Sequence, residues 1–175
     1  FADIVGFTKL WSRISPVDLV ELLNEIFSAF DRLAEKNKLE KIKTIGDAYM
    51  VVGGLPIACD NHAQAIAQMA LDMQREIARF NLGNHEPFSI RIGINTGPVV
   101  AGVIGRNKFT YDLWGDTVNT ASRMESHGIA NSIQITEATY ELIKDTFVVE
   151  KRGEIEVKGK GPMTTYLLLD RRPLT

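Results

Sequence analysis

The chain has 175 residues, 45% of them hydrophobic, which is enough for one domain with a sizeable core and too apolar for a disordered segment. Its 20 basic and 22 acidic side chains give a formal charge of −2, which argues against a duplex-DNA reader with a broad electropositive face but leaves room for a small anionic ligand. No apolar run approaches the roughly 18 residues of a membrane span, and the lone cysteine, Cys59, excludes an internal disulfide or a cysteine-based zinc site and points to a reducing, intracellular setting.

The chain opens at Phe1 inside an apolar run, so a fragment of a longer protein, lacking the start of its first strand, is expected. Phe1–Thr8 reads as a strand end running into a tight turn, where Gly6 is small enough for backbone amides to approach a ligand. Ser15-Pro16 opens a helix whose apolar stripe, Leu19 to Leu33 at 3–4 spacing, continues to about Glu35. Leu39–Ile45 and Ala48–Val52 form a hairpin with Gly46-Asp47 at its tip. A second helix, capped by Asp60 or Asn61, precedes a polar loop from Asn81 to Pro87. Phe88–Asn95 alternates strictly, with Phe88, Ile90, Ile92 and Ile94 inward and Arg91 alone among small polar neighbours on the other side.

Val99–Ile104 and Phe109–Trp114 are the next strands, followed by a short helix from Thr117 to about Ser126. Ser132–Ile135 is a strand, Thr136 caps a helix to about Lys144, and Phe147–Leu169 holds three short strand-like runs broken at Gly153 and Gly159–Pro162. This order predicts one α+β domain over residues 1–175, with helices packed on a mainly antiparallel sheet.

Asp3 and Asp47 each stand where a strand meets a glycine-containing turn. Singly, each suits a turn or cap as well as a ligand site; paired by adjacent strands, they suit hard divalent cations that bridge nucleotide phosphates. Arg91, and Lys158 with Lys160, read either as phosphate partners or as plain surface charge. Asn119 and Arg123 share a helix face. That face is either solvated or serves to hold a sugar oxygen and a charge growing at phosphorus.

Five strings occur in order along the chain: Phe1–Thr8 (FADIVGFT), Lys41–Met50 (KIKTIGDAYM), Arg91–Gly97 (RIGINTG), Tyr111–Glu125 (YDLWGDTVNTASRME) and Val157–Gly161 (VKGKG). Together they resemble the catalytic domain of the class III nucleotidyl cyclases, the adenylyl and guanylyl cyclases. The resemblance implies a ferredoxin-like sandwich and conversion of ATP to 3′,5′-cyclic AMP and pyrophosphate, with two divalent cations, Mg²⁺ or Mn²⁺. By motif, Asp3, Asp47 and the Ile4 carbonyl would bind the metals, and amides around Gly6, Phe7 and Thr8 would cradle the β- and γ-phosphates. Arg91 and Lys158 would neutralise the triphosphate, Asn119 would position the ribose, and Arg123 would stabilise the pentavalent transition state.

Lys43 and Asp112 would read the base, as a donor to adenine N1 and an acceptor from its N6 amino group; guanylyl members carry Glu and usually a small residue such as Cys there. Guanylyl cyclase activity is the alternative, since Gly46–Pro56 and Thr117–Ser126 read rather like guanylyl relatives. A non-catalytic nucleotide-binding dimerisation module and a phosphohydrolase using Asp3 and Asp47 are the remaining readings. Family sites form between two domains, and both residue sets are present in this chain. A homodimer with two equivalent sites is therefore expected, with no nucleic-acid partner and no membrane contact by this domain. The domain is expected to be cytoplasmic, within a full-length protein that membrane segments could anchor.

Overall fold

Alternation in the first residues turns Ala2 and Ile4 into the core and leaves Asp3 on the opposite face of β1 (Ala2–Val5). The structure, a computed structural model, describes residues 1–83 and 87–175. Gly6, at φ 74°, makes a left-handed turn that Cβ-bearing residues adopt only with strain, and the chain enters α1 (Phe7–Arg13) directly. The sequence predicts a turn here and no helix, since seven residues without a buried side chain carry no periodic signal. The second helix begins as expected. Ser15 Oγ accepts from the Asp18 amide at 3.2 Å, Pro16 occupies the first position, and α2 (Pro16–Lys36) buries Leu19, Ile26 and Phe30. Each such side chain contributes about 1.5–3 kcal/mol when fully withdrawn from water.

The hairpin forms β2 (Glu40–Ile45) and β3 (Ala48–Val52), with Gly46 at φ 59°. After it come α3 (His62–Leu82), β4 (Ser89–Ile94), β5 (Val100–Ile104), β6 (Thr110–Trp114), α4 (Asp116–Ser126), β7 (Ile133–Thr136), α5 (Glu137–Ile143), β8 (Phe147–Val157) and β9 (Gly161–Arg171). Asn61 holds the N-cap position of α3, but its side chain makes no cap hydrogen bond and accepts from Cys59 Sγ instead. Asn81 and Leu82 still belong to α3, and residues 84–86 of the predicted polar loop lie outside the described residues. The three runs predicted for the tail are two eleven-residue strands. Gly153 does not end β8; it sits at a bulge, and Thr165 Oγ1 donates to its carbonyl at 3.0 Å while the ladder resumes beyond it.

Among the described residues a seven-stranded sheet runs β2-β3-β1-β4-β7-β9-β8, antiparallel except for the β4–β7 pair. β5 and β6 pair separately as a two-stranded ribbon. No described helix is long and apolar enough to cross a membrane.

Register sorts the side chains between the two faces. Ala2, Ile4, Tyr49, Ile90, Ile92, Ile133 and Ile135 join Ile26, Phe30 and the apolar side of α3 in one core. Asp3, opposite Ala48 and Arg91, lies on the other face, where α4 packs on β4 and β7. Close approach of α4 depends on Gly93: a Cβ there would collide with the Glu125 amide nitrogen and lie 2.5 Å from the Met124 carbonyl carbon. Neither backbone atom can yield without moving the helix. Gly93→Ala is therefore expected to cost about 3 kcal/mol, read as a fall of roughly 6–12 °C in melting temperature.

A bulge in β2 divides its two lysines. Lys41 pairs with Val51 and Lys43 with Met50, with Ile42 the extra residue, so the two side chains point to opposite faces although they are two positions apart. Lys41 Nζ reaches Asp31 of α2 at 3.1 Å, beside the Tyr49 hydroxyl, which donates to the same carboxylate at 2.8 Å. Lys43 emerges on the face of Asp3.

Candidate functional site

Apart from Lys158, the expected residues lie on or beside the sheet face that carries α4, in two groups. In the first, Asp3 and Asp47 meet where the β2–β3 tip overhangs the end of β1. Burial and the neighbouring Asp47 carboxylate push the Asp3 carboxyl up to about 7, against the Ile4 amide, which donates to Asp3 Oδ1 at 3.0 Å. Two carboxyl groups close enough to share a proton are also close enough to share a cation. Among the described residues no group of three or more acidic, histidine or cysteine side chains is arranged to hold a metal ion by itself. Two carboxylates alone suit a small hard cation that takes its remaining oxygens from water and substrate phosphate, as Mg²⁺ does, better than an ion needing a full protein cage.

The raised pKa has a consequence for stability in the absence of metal. A carboxyl whose folded pKa exceeds its unfolded value of about 3.9 stabilises the fold fully below that value, and this contribution is lost as pH rises through about 7. The metal-free domain should thus lose stability across pH 4–7 at this site. Asp3 is half-exposed, so solvent screening reduces the effect to about 1–2 kcal/mol. Asp3→Asn is expected to raise the metal-free melting temperature at pH 8 by roughly 2–8 °C and to leave it unchanged at pH 4. An equal change at both pH values would sever the link to the carboxyl pair.

Beside this group, Gly6 turns the chain so that the Phe7 and Thr8 amides open α1 without intrahelical acceptors, while those of Lys9 and Leu10 both bond the Gly6 carbonyl. Arg91 is not alone, as the alternation suggested. Its Nε donates to Glu125 Oε2 at 2.7 Å, which fixes the guanidinium and leaves its paired Nη donors for another acceptor. Glu125 is a buried residue of α4, thirty-four positions from Arg91, and nothing local in one sequence announces that pairing.

The second group joins the hairpin to the ribbon. Lys43 Nζ lies 2.7 Å from Asp112 Oδ2, while Asp112 Oδ1 accepts from the Leu113 amide at 2.8 Å. The hydrogen bond from Lys43 holds the Asp112 carboxyl below the usual carboxylate range. Nearby α4 presents Asn119, exposed, and Arg123, half-buried, one turn apart. Lys158 is exposed on the β8–β9 turn, whereas Lys160 is tied to Asp116 at the start of α4. A cavity of about 340 Å³ between α3, α4 and the ends of β3 and β4 is lined by none of the expected residues. They occupy an open face instead.

Residues 1–170 match the family described as the adenylate and guanylate cyclase catalytic domain. The chain is 51% identical to an adenylate cyclase of Mycobacterium tuberculosis over 172 residues, which are 98% of this chain and 39% of that protein. It is 49% identical to the human guanylate cyclase soluble subunit beta-2 over 173 residues, 97% of this chain and 28% of that one. It thus spans well under half of either relative. The guanylate cyclase domain of RhGC from Catenaria anguillulae, solved in complex with GTP, superposes with a TM-score of 0.92 at 44% identity, covering 98% of this chain and 94% of that one.

Proposed function

Because the chain belongs to the adenylate and guanylate cyclase catalytic domain family, we propose that it cyclises ATP to 3′,5′-cyclic AMP and pyrophosphate. The observation that carries the choice of ATP is the Lys43–Asp112 pair, 2.7 Å apart. One donor and one acceptor, already adjacent, match adenine N1 and its N6 amino group. At the same edge guanine offers O6 as acceptor and N1 and N2 as donors, so a buried mismatch would leave polar groups without partners.

In the reaction the 3′-hydroxyl oxygen gives up its proton to solvent and bonds to the α-phosphorus, the bond from that phosphorus to the bridging oxygen breaks in line, and pyrophosphate leaves with the bonding electrons. Asp3, Asp47 and the Ile4 carbonyl are the residues to hold two divalent cations, Mg²⁺ or Mn²⁺. The chemistry such ions supply is neutralisation of phosphate charge and acidification of the hydroxyl. The Phe7 and Thr8 amides beyond Gly6 receive the outer phosphates, with Arg91 and Lys158 adding positive charge. Asn119 holds the ribose, and Arg123 faces the charge that grows on the α-phosphate.

Two copies complete each other, metal and phosphate residues from one chain facing base and transition-state residues from the second, so a homodimer has two equivalent sites. Supporting this is the β5–β6 ribbon, where Val100, Val103, Ile104 and Phe109 are all exposed. An isolated two-stranded ribbon with an apolar surface is stable only when it packs on something. GTP is the second reading, favoured by the 49% identity to the human guanylate cyclase subunit. Incubating the domain with ATP or GTP and Mg²⁺ or Mn²⁺, then separating products, tests the choice. Cyclic AMP with pyrophosphate is expected. Inorganic phosphate would indicate a phosphohydrolase, and binding without turnover a non-catalytic module.

A further inference from the structure

Helix α4 carries Asn119 and Arg123, and it is fastened to the sheet at both ends. At its start, Asn95 Nδ2 donates to the Thr117 carbonyl at 3.1 Å, and Asn95 is itself fixed by Thr136 Oγ1 at 2.7 Å. At its far end the last carbonyls have no partner within the helix, and two side chains from other strands supply donors. Gln134, wholly buried on β7, donates from Nε2 to the Met124 carbonyl at 3.0 Å. Arg152 Nη1 donates to the His127 carbonyl at 2.7 Å and to Gln134 Oε1. The side chains thus form a chain from β8 through β7 to the Met124 and His127 carbonyls, and the guanidinium adds positive charge at the negative end of the helix.

The backbone of β8 is shaped for this contact. Lys151 pairs with Tyr166 and Gly153 with Thr165, so Arg152 is the extra residue of the bulge, and Gly153 follows it at φ 122°. A bulge re-aims one side chain at the cost of a ladder bond. Here the re-aimed side chain, on an exposed residue, is the one that reaches the His127 carbonyl at the end of α4. The turn it fastens is that of Arg123, whose carbonyl accepts from the His127 amide at 2.9 Å.

We propose that Arg152, with Gln134, is a positioning residue: the bulge in β8 places it as a remote cap that fixes the last turn of α4 and, through that turn, the Arg123 guanidinium at the reacting phosphate. This rests on the role given above to Arg123. Small misplacements of a catalytic group cost large factors in rate, so the effect belongs in kcat rather than in substrate affinity.

The test is a cycle of four proteins (unmodified, Arg152→Ala, Arg123→Ala and both), with cyclic nucleotide kinetics and amide exchange measured on each. Arg152→Ala is expected to lower kcat about tenfold, with KM for the nucleotide changed less than about twofold, and to speed exchange of the His127 and Gly128 amides. Arg152→Lys, which keeps the charge, should recover part of kcat. In the Arg123→Ala background the second substitution should cost nothing further. Losses that multiply would overturn the proposal, as would unchanged exchange at the end of α4. An unmodified domain without turnover would sink the cyclase reading alone, because amide exchange still decides whether Arg152 caps the helix.

Discussion

Asp47→Ala is expected to reduce cyclic AMP formation at saturating nucleotide and Mg²⁺ by about a thousandfold or more, the equivalent of the several kcal/mol that metal-borne charge supplies at a transferring phosphoryl group. Asp47 is half-exposed beyond a glycine already at φ 59°, and the β2–β3 ladder around it is built from backbone bonds. Removing its carboxylate therefore leaves the hairpin intact. It also removes the charge that opposes ionisation of Asp3, so the Asp3 pKa should fall from about 7 towards the ordinary range. The metal-free variant should then be at least as stable as the unmodified domain at pH 8 while its activity is lost. Loss of activity with gain of stability distinguishes a metal-binding carboxylate from a structural one. A folded Asp47→Ala domain with full turnover would remove Asp47 from the mechanism.

Exchanging the base-reading pair, Lys43→Glu with Asp112→Cys, should move the ratio of kcat/KM for GTP over ATP by about a hundredfold or more in favour of GTP. The two positions act as one unit, since Lys43 Nζ and Asp112 Oδ2 are 2.7 Å apart and each satisfies the other. Lys43→Glu alone sets two carboxylates against each other and should impair both nucleotides. Asp112→Cys alone leaves the ammonium without its partner and should weaken ATP without creating a guanine acceptor. Only the double substitution offers a carboxylate to guanine N1 and N2 without a competing charge. Kinetics of all four proteins on both nucleotides reads the coupling directly. An unmodified domain that already prefers GTP would falsify the assignment of donor and acceptor.

Much of this arrangement was legible where a local rule governs a residue. The stripe from Leu19 to Leu33, the Ser15 cap, the Gly46 turn and the alternation of Phe88 to Ile94 all appear where periodicity and turn chemistry put them. The candidate site residues rest on motif, because single carboxylates and lysines carry no period. What could not be read were contacts between distant strands and helices. Arg91 looked solitary because Glu125 lies on another element, and β8 looked broken at Gly153 because a bulge and a terminus share the same local signal. Arg152 drew no notice for the same reason: its partners, Gln134 and the His127 carbonyl, are neighbours only after the sheet and α4 have assembled.

The bulge at Ile42 makes β2 a strand read in two phases. Upstream of it, Lys41 joins the scaffold with Asp31 and Tyr49; downstream, Lys43 turns to the face of Asp3 and pairs with Asp112. Were Ile42 paired in an unbroken ladder, the two lysines, two positions apart, would share one face, and one would leave its partner although neither had been replaced. Which face each lysine serves is thus set by the spacing of the chain as well as by its letters. A change of residue at the Lys43 position can alter what the site reads without loosening the anchor two residues earlier.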